Sequence, residues 1–172
     1  MKKVIVINGK GTAGKDTLCE FVGSRYSIVN VSAITPIKEA AKLLGWQGDK
    51  DEVSRKFLAD LKQLSVKYND YPNIYLTEQY NLFMSGNSEI MFVHIREADQ
   101  IYHFIQSVSS EVVTLLIKRL ECDALMGNDA DDNVESFPYD YVYHNDKPLD
   151  EAETDFMHFF DAIIVRKPTG EN

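Results

Sequence analysis

The apolar residues of this chain fall into blocks whose periods differ. Val4 to Ile7 is an unbroken β-branched run with no alternation, the pattern of a strand buried on both faces of a parallel sheet. A glycine-rich turn follows at once. From Lys15 to Tyr26 the apolar residues Leu18, Phe21 and Val22 recur at i, i+3 and i+4, which predicts an amphipathic helix. Ser27 to Val31 predicts a second short strand. Thr35 to Leu44 predicts a helix with Pro36 in its first turn, where the missing N–H costs least, and Gly45 ends it. Lys50 to Tyr68 carries Val53, Phe57, Leu61 and Leu64 on one face with Lys, Arg and Asp on the other, a long surface helix. Tyr75 to Met84 continues in that style until Ser85-Gly86-Asn87 breaks it. Ile90 to Ile95 and Val112 to Ile117 are again strand-like, with a helix from Glu97 to Val108 between them. Tyr139 to His144 predicts a last short strand, and Leu149 to Val165 a closing helix.

Strands alternating with helices force right-handed crossovers in a parallel sheet. The expected fold is therefore α/β: a doubly wound, five-stranded parallel sheet in one domain spanning residues 1–172. One stretch does not fit the alternation. Gly127-Asn128-Asp129-Ala130-Asp131-Asp132-Asn133 has no apolar period and a surplus of acid, so residues 121–138 are expected to form a lid or loop. Asp129, Asp131 and Asn133 have calcium-loop spacing at first sight. The sixth position is Val134 where such a loop needs glycine, and the twelfth is Asp140, so that assignment fails.

A chain of 172 residues can bury about 70 % of its unfolded surface, enough for a core without disulfides or metals. Only Cys19 and Cys122 are present, with no CxxC pattern, and Cys19 reads as a small buried apolar side chain. The net charge of −9 opposes nonspecific attraction to nucleic acid or to an anionic membrane, so any anionic ligand needs a local basic site. The first apolar run stops at Asn8, far short of a signal-peptide core or a spanning helix, and the expected location is cytoplasmic.

The local basic site is in the first turn. Gly9-Lys10-Gly11-Thr12-Ala13-Gly14-Lys15 fits GxxxxGK and lies between the first strand and the first helix, where a phosphate-binding loop belongs. Glycines let successive N–H groups aim at one anion, and the helix that starts here adds its positive end. Lys15 supplies a mobile cation for the outer phosphates. Asp16 stands where Ser or Thr would place a hydroxyl on Mg²⁺, and Thr17 follows it.

Gly14-Lys15-Asp16-Thr17 resembles the phage-type deoxynucleoside monophosphate kinases and their bacterial relatives among the P-loop nucleotide kinases. Further segments share that resemblance. Ser32 to Ala41 is similar to the family segment that opens a substrate-side helix, and Arg55-Lys56-Phe57-Leu58-Ala59-Asp60-Leu61 to its RxFLxDL helix. Phe92-Val93-His94-Ile95-Arg96-Glu97 is similar to its third strand with a phosphate-binding arginine, and Asp140-Tyr141-Val142 with Asn145-Asp146 to its last strand. The resemblance implies a kinase that uses ATP and Mg²⁺ and acts on a small nucleotide, with no nucleic-acid or membrane partner. It implies that the loop from Gly9 to Lys15, with Asp16 and Thr17, binds the cofactor, and that Asp16 and Thr17 lie nearest the metal.

A kinase must also hold an acceptor, which needs cations beyond the loop lysine. The arginines are at 25, 55, 96, 119 and 166. Arg96 follows a predicted parallel strand at the edge where ligands bind in this architecture, and Arg119 ends the next strand at the same edge. The expected catalytic set is Lys15, Arg96 and Arg119, and the expected acceptor set is Arg96, Arg55 and Lys38. His94 stands where the family often has an acid, and Glu97 is either a partial substitute or a helix-start charge. Trp46, Tyr68, Tyr71 and Tyr75 either stack on a base or pack helices. Two other functions stay open: a kinase for another small phosphorylated metabolite, and a non-catalytic nucleotide switch. Asn145-Asp146-Lys147 does not match the NKxD order that reads guanine.

Overall fold

The computed structural model describes residues 2–120 and 134–165. The acidic stretch with Asp129, Asp131, Asp132 and Asn133 lies outside the described residues, as do Cys122 and Arg166. The element order is β1 (Lys3–Asn8), α1 (Lys15–Gly23), β2 (Ile28–Ser32), α2 (Thr35–Leu43), α3 (Glu52–Asn69), α4 (Tyr71–Ser85), β3 (Ile90–His94), α5 (Ala98–Ser107), β4 (Val112–Lys118), β5 (Tyr141–His144) and α6 (Leu149–Val165).

All five strands are parallel in the order β2-β3-β1-β4-β5, with β1 in the middle. Period-2 alternation sorts the side chains between two faces. Ile5, Ile7, Phe92, Leu115 and Ile117 pack against Leu18, Cys19 and Val22 of α1 and Phe156 and Phe160 of α6. Val4, Val6, Met91 and Val93 pack against Leu76, Tyr80 and Phe83 of α4 and Ile101 and Phe104 of α5. Both faces are covered, which is why β1 and β3 read as continuous apolar runs. The doubly wound five-stranded α/β sheet read from the sequence is the architecture found.

Some boundaries differ from the pattern. The first helix stops at Gly23, three residues before Tyr26, because Ser24, Arg25 and Tyr26 turn back onto the carbonyls of Glu20, Phe21 and Val22. The fourth helix starts at Tyr71 rather than Tyr75. Asp70 takes a left-handed conformation with φ 52°, which ends α3, and Pro72 restarts a helix within one turn. The last strand begins at Tyr141, after Asp140 has bonded its carboxylate to the N–H and hydroxyl of Thr114, both at 2.8 Å.

Residues 134–138 of the segment expected as a lid form a short 3₁₀ turn at Val134–Ser136 followed by Phe137, and both Val134 and Phe137 are buried. Phe137 lies against Tyr102 of α5, with ring centroids 4.8 Å apart. This end of the segment is packed onto the core.

Candidate functional site

Parallel strands bring their C-terminal ends to one edge, and the loop from Gly9 to Gly14 lies there between β1 and α1. Its shape is set by close approach of backbone. Gly9 has φ 151°, and a Cβ on it would sit 2.4 Å from the carbonyl oxygen of Ile117 on the neighbouring strand. Gly14 has φ 90°, and a Cβ there would fall 2.4 Å from the amide nitrogen of Asn145. Only glycine fits either place. Asn145 uses that amide to donate to the Ala13 carbonyl at 2.9 Å, while its own N–H donates to Lys118 at 2.8 Å. The loop after β5 thus braces the loop after β1.

Asn8 braces it from the other side. Its buried amide donates to the Arg96 carbonyl at 3.0 Å and to the Tyr139 hydroxyl at 2.7 Å, and its oxygen accepts from Gly9 N–H at 2.8 Å. The Tyr139 hydroxyl donates in turn to the Val134 carbonyl at 2.8 Å, and burial pushes its phenol up to about 12.

Helix α1 begins at Lys15 with no side chain capping its first N–H groups, so its positive end faces the loop. The Lys15 ammonium folds back over the loop and donates to the carbonyls of Gly9 at 2.7 Å and Lys10 at 2.8 Å. A cation held by neutral carbonyls can exchange them for an anion's oxygens at small cost. Asp16 is exposed in the first turn and Thr17 is half-buried beside it.

His94 ends β3, level with Ile7 on one side and Ser32 on the other. Its Nε2 lies 2.6 Å from the amide oxygen of Asn30 on β2. Burial pushes the imidazole down to about 4; the Asp16 carboxylate acts against that shift and the Lys15 ammonium adds to it. The ring is therefore neutral at pH 7. Cys19, one turn along α1, is buried, and burial together with Asp16 pushes its thiol up, in keeping with an inert core side chain.

The expected cations are distributed unevenly. Arg96 follows β3 directly and is exposed, with its carbonyl fixed by Asn8. Arg119 follows β4, is half-buried, and lines a small cavity with Lys10, Ile117, Lys118, Val134 and Glu135. Lys15, Arg96 and Arg119 thus share the sheet edge of the loop. Arg55 on α3 and Lys38 on α2 are exposed, and no hydrogen bond or ion pair joins either to the loop among the described residues. Glu97 occupies the N-cap position of α5, where its side chain makes no capping bond; its carboxylate pairs instead with Lys62 of α3, whose side chain is only 13 % exposed. Trp46 bonds Asp49, Tyr68 is exposed, and Tyr75 packs beside the core, so no ring contact gathers the four aromatics among the described residues.

Asn8, Asn30 and Lys62 were given no site role from the sequence, and Asn145 entered only in the last-strand resemblance and the failed guanine motif, not as a brace of the loop. Asn8 alone left a trace, as the polar residue that ends a buried strand.

No family model matches the chain, and no curated protein matches it. Solved structures do. An unliganded sugar kinase from Janibacter sp. superposes with a TM-score of 0.55 at 13 % identity, over 94 % of this chain and 95 % of that one. Thymidylate kinase from Candida albicans superposes with a TM-score of 0.56 at 11 % identity, over 95 % and 92 %. The chain has the fold of the P-loop nucleoside monophosphate kinases. At these identities the likeness is one of fold. In this P-loop kinase fold the loop, α1 and the ends of β3 and β4 occupy one edge, and among the described residues no helix is long and apolar enough to cross a membrane. No three His, Cys, Asp or Glu side chains among the described residues form a ready metal site.

Proposed function

We propose that the protein transfers the terminal phosphoryl group of ATP to a nucleoside or deoxynucleoside monophosphate, with a divalent ion such as Mg²⁺ as cofactor. The observation that carries this reading is the Lys15 ammonium resting on the Gly9 and Lys10 carbonyls inside a glycine loop whose helix start is uncapped. That arrangement suits a polyphosphate. The fold, shared with kinases that include a thymidylate kinase, supports the same class of reaction.

The roles follow from the positions. Lys15 and the N–H groups from Gly9 to Lys15 bind the ATP phosphates, with Lys10, Gly11, Thr12, Ala13 and Gly14 supplying the wall of the loop. Asp16 and Thr17 are the groups of this loop suited to a hard divalent ion, whose chemistry is to neutralise phosphate oxygens. Arg96 binds the acceptor's phosphate, Arg119 stabilises charge on the transferring group, and Arg55 and Lys38 contribute to the acceptor side. A reaction of this kind uses the nucleotides of the cytoplasm.

A coupled assay of ADP release over the eight common NMPs and dNMPs tests the reading. ADP formed only when one of these acceptors is present supports it. Protein that binds ATP yet turns over with none of the eight overturns the acceptor assignment, leaving another phosphorylated metabolite or a nucleotide switch.

A further inference from the structure

We infer that Asn8 is a positioning residue for phosphoryl transfer: its buried amide holds the start of the phosphate loop and the backbone of Arg96 on one rigid group, and so sets the alignment of the transferred group with the acceptor. The inference rests on the kinase reading above and concerns alignment, not the binding of either substrate alone.

The place of Asn8 follows from the sheet. β1 pairs with β3 as far as Ile7 opposite His94, and Arg96 lies two residues further on, past the end of β3. On the other edge Asn8 is still in register with Leu116 of β4. Its backbone is therefore fixed by the central strands while its side chain reaches the residue that has left them.

The partners decide which way the amide faces. The Gly9 N–H can only donate, so the side-chain oxygen lies against it at 2.8 Å and the NH₂ group points the other way. That group donates to the Arg96 carbonyl at 3.0 Å and to the Tyr139 hydroxyl at 2.7 Å, and Tyr139 donates onward to Val134. Each bond has a settled direction. Asn8 is 1 % exposed, so bulk water does not compete for them. A carboxylate could not donate to Arg96, and a hydroxyl has one hydrogen and a shorter reach.

Gly9 is gripped on its other side as well, because its carbonyl accepts from the Lys15 ammonium at 2.7 Å. Lys15 is thus joined to Arg96 through Gly9 and Asn8 alone, a path of three hydrogen bonds. In-line transfer depends on that spacing. A displacement of about 1 Å can cost about a hundredfold in rate while each substrate keeps its own contacts.

Asn8→Ser provides the test, since serine keeps a neutral hydroxyl near Gly9 and cannot reach Arg96. Turnover is measured with the best acceptor among the eight common NMPs and dNMPs, and calorimetry follows a non-hydrolysable ATP analogue and that monophosphate separately. The expected result is a fall in kcat of about thirtyfold to a hundredfold, with the Kd of each ligand changed by less than about threefold. Asn8→Gln keeps the amide but moves it by one methylene, and should show the same split even if the serine variant does not fold. Tyr139→Phe removes a different partner of the amide and leaves the link from Gly9 to Arg96 in place. It should melt earlier than wild type yet keep kcat within about threefold. Variants of Asn8 with wild-type turnover, or with the loss in the Kd of the ATP analogue instead of in kcat, overturn the inference and leave the kinase reading standing. A Tyr139→Phe loss in kcat as large as that of the Asn8 variants does the same, because the effect is then one of general loosening. Wild-type protein that binds the analogue but phosphorylates none of the eight overturns the acceptor reading and this inference with it.

Discussion

The loop after β1 and the helix α3 both carry sequence signatures, but they are held to the rest of the chain in different ways. Around the loop, strand and helix ends converge: Gly9 abuts the Ile117 backbone, Gly14 abuts Asn145, and Asn8 ties β1 to Arg96 and Tyr139. Along the 18 residues of α3 only Ser54 is buried, while Val53, Leu64 and Tyr68 are largely exposed. Its beginning is secured locally, by the Asp51 carboxylate accepting the Ser54 N–H at 2.7 Å, and its middle by Lys62 reaching Glu97. The loop is over-determined by its neighbours; α3 is tethered at a few points. A phosphate site, as proposed for the loop, needs preorganised donors, whereas a helix tethered at a few points can shift at low cost.

The strongest way to sharpen this contrast is to remove the group that does chemistry without holding the frame. Lys15→Ala should lower phosphoryl transfer by about a thousandfold or more, with thermal stability near wild type, because its ammonium lies over the loop carbonyls of Gly9 and Lys10 and takes no part in the hydrophobic core. Turnover measured beside a melting curve checks it, and wild-type-like turnover would sink the loop's assignment. Arg96→Ala comes next, with an expected loss of about 3 kcal/mol in acceptor-monophosphate affinity and little change in ATP affinity. Calorimetry with each ligand separately decides it. Loss of ATP affinity alone would reverse the two sides of the site.

Gly9→Ala aims at the frame instead. The added methyl meets the Ile117 carbonyl at 2.4 Å with φ 151°, so the strand end or the loop must move. Folding stability should fall by about 2 to 3 kcal/mol, and nucleotide affinity should fall with it. Urea denaturation gives the first figure. An unchanged midpoint would mean that the loop is as loosely held as α3.

Removing the α3 cap is a smaller perturbation. The Ser54 hydrogen bonds hold the Asp51 carboxyl below its ordinary value. A carboxylate depressed in the folded state stabilises at pH above its unfolded value, and the contribution is lost as pH falls through the folded one. Asp51→Ala should therefore be less stable than wild type at pH 7, by less than the Gly9 variant, and the two melting curves should converge in acid. A gap that persists in acid would show that the side chain acts by packing.

The sequence exposed the sheet and the loop for one physical reason: both depend on neighbours in the chain. Val4 to Ile7 shows its burial as an apolar run, and the turn chemistry of Gly9 to Gly14 follows directly after it. What stayed hidden depends on partners far along the chain. Asn8 finds Arg96 88 positions away, Asn145 finds Ala13 at 132, and Asn30 finds His94 at 64. An asparagine at a strand end carries no mark that tells which of these it is. Lys62 read as one of several polar residues on a surface helix, since nothing local announces Glu97, 35 positions on. The start of α4 was missed for the opposite reason. Asn69-Asp70-Tyr71-Pro72 has strong break chemistry, and the chain uses it for a single left-handed residue, with Asp70 then anchored by Gln100 and His103 of α5.

The smallest effects should come from the outer face of α3. Tyr68 is 87 % exposed and Val53 80 %, so truncating either returns little apolar surface to water. Tyr68→Ala and Val53→Ala should each change folding stability by no more than about 0.5 kcal/mol and leave nucleotide affinity unchanged. Chemical denaturation and calorimetry read both quantities. A loss above 1 kcal/mol, or one that depends on protein concentration, would mean that this face is covered in solution. The tethered helix would then be as firmly held as the loop, by contacts from outside the chain.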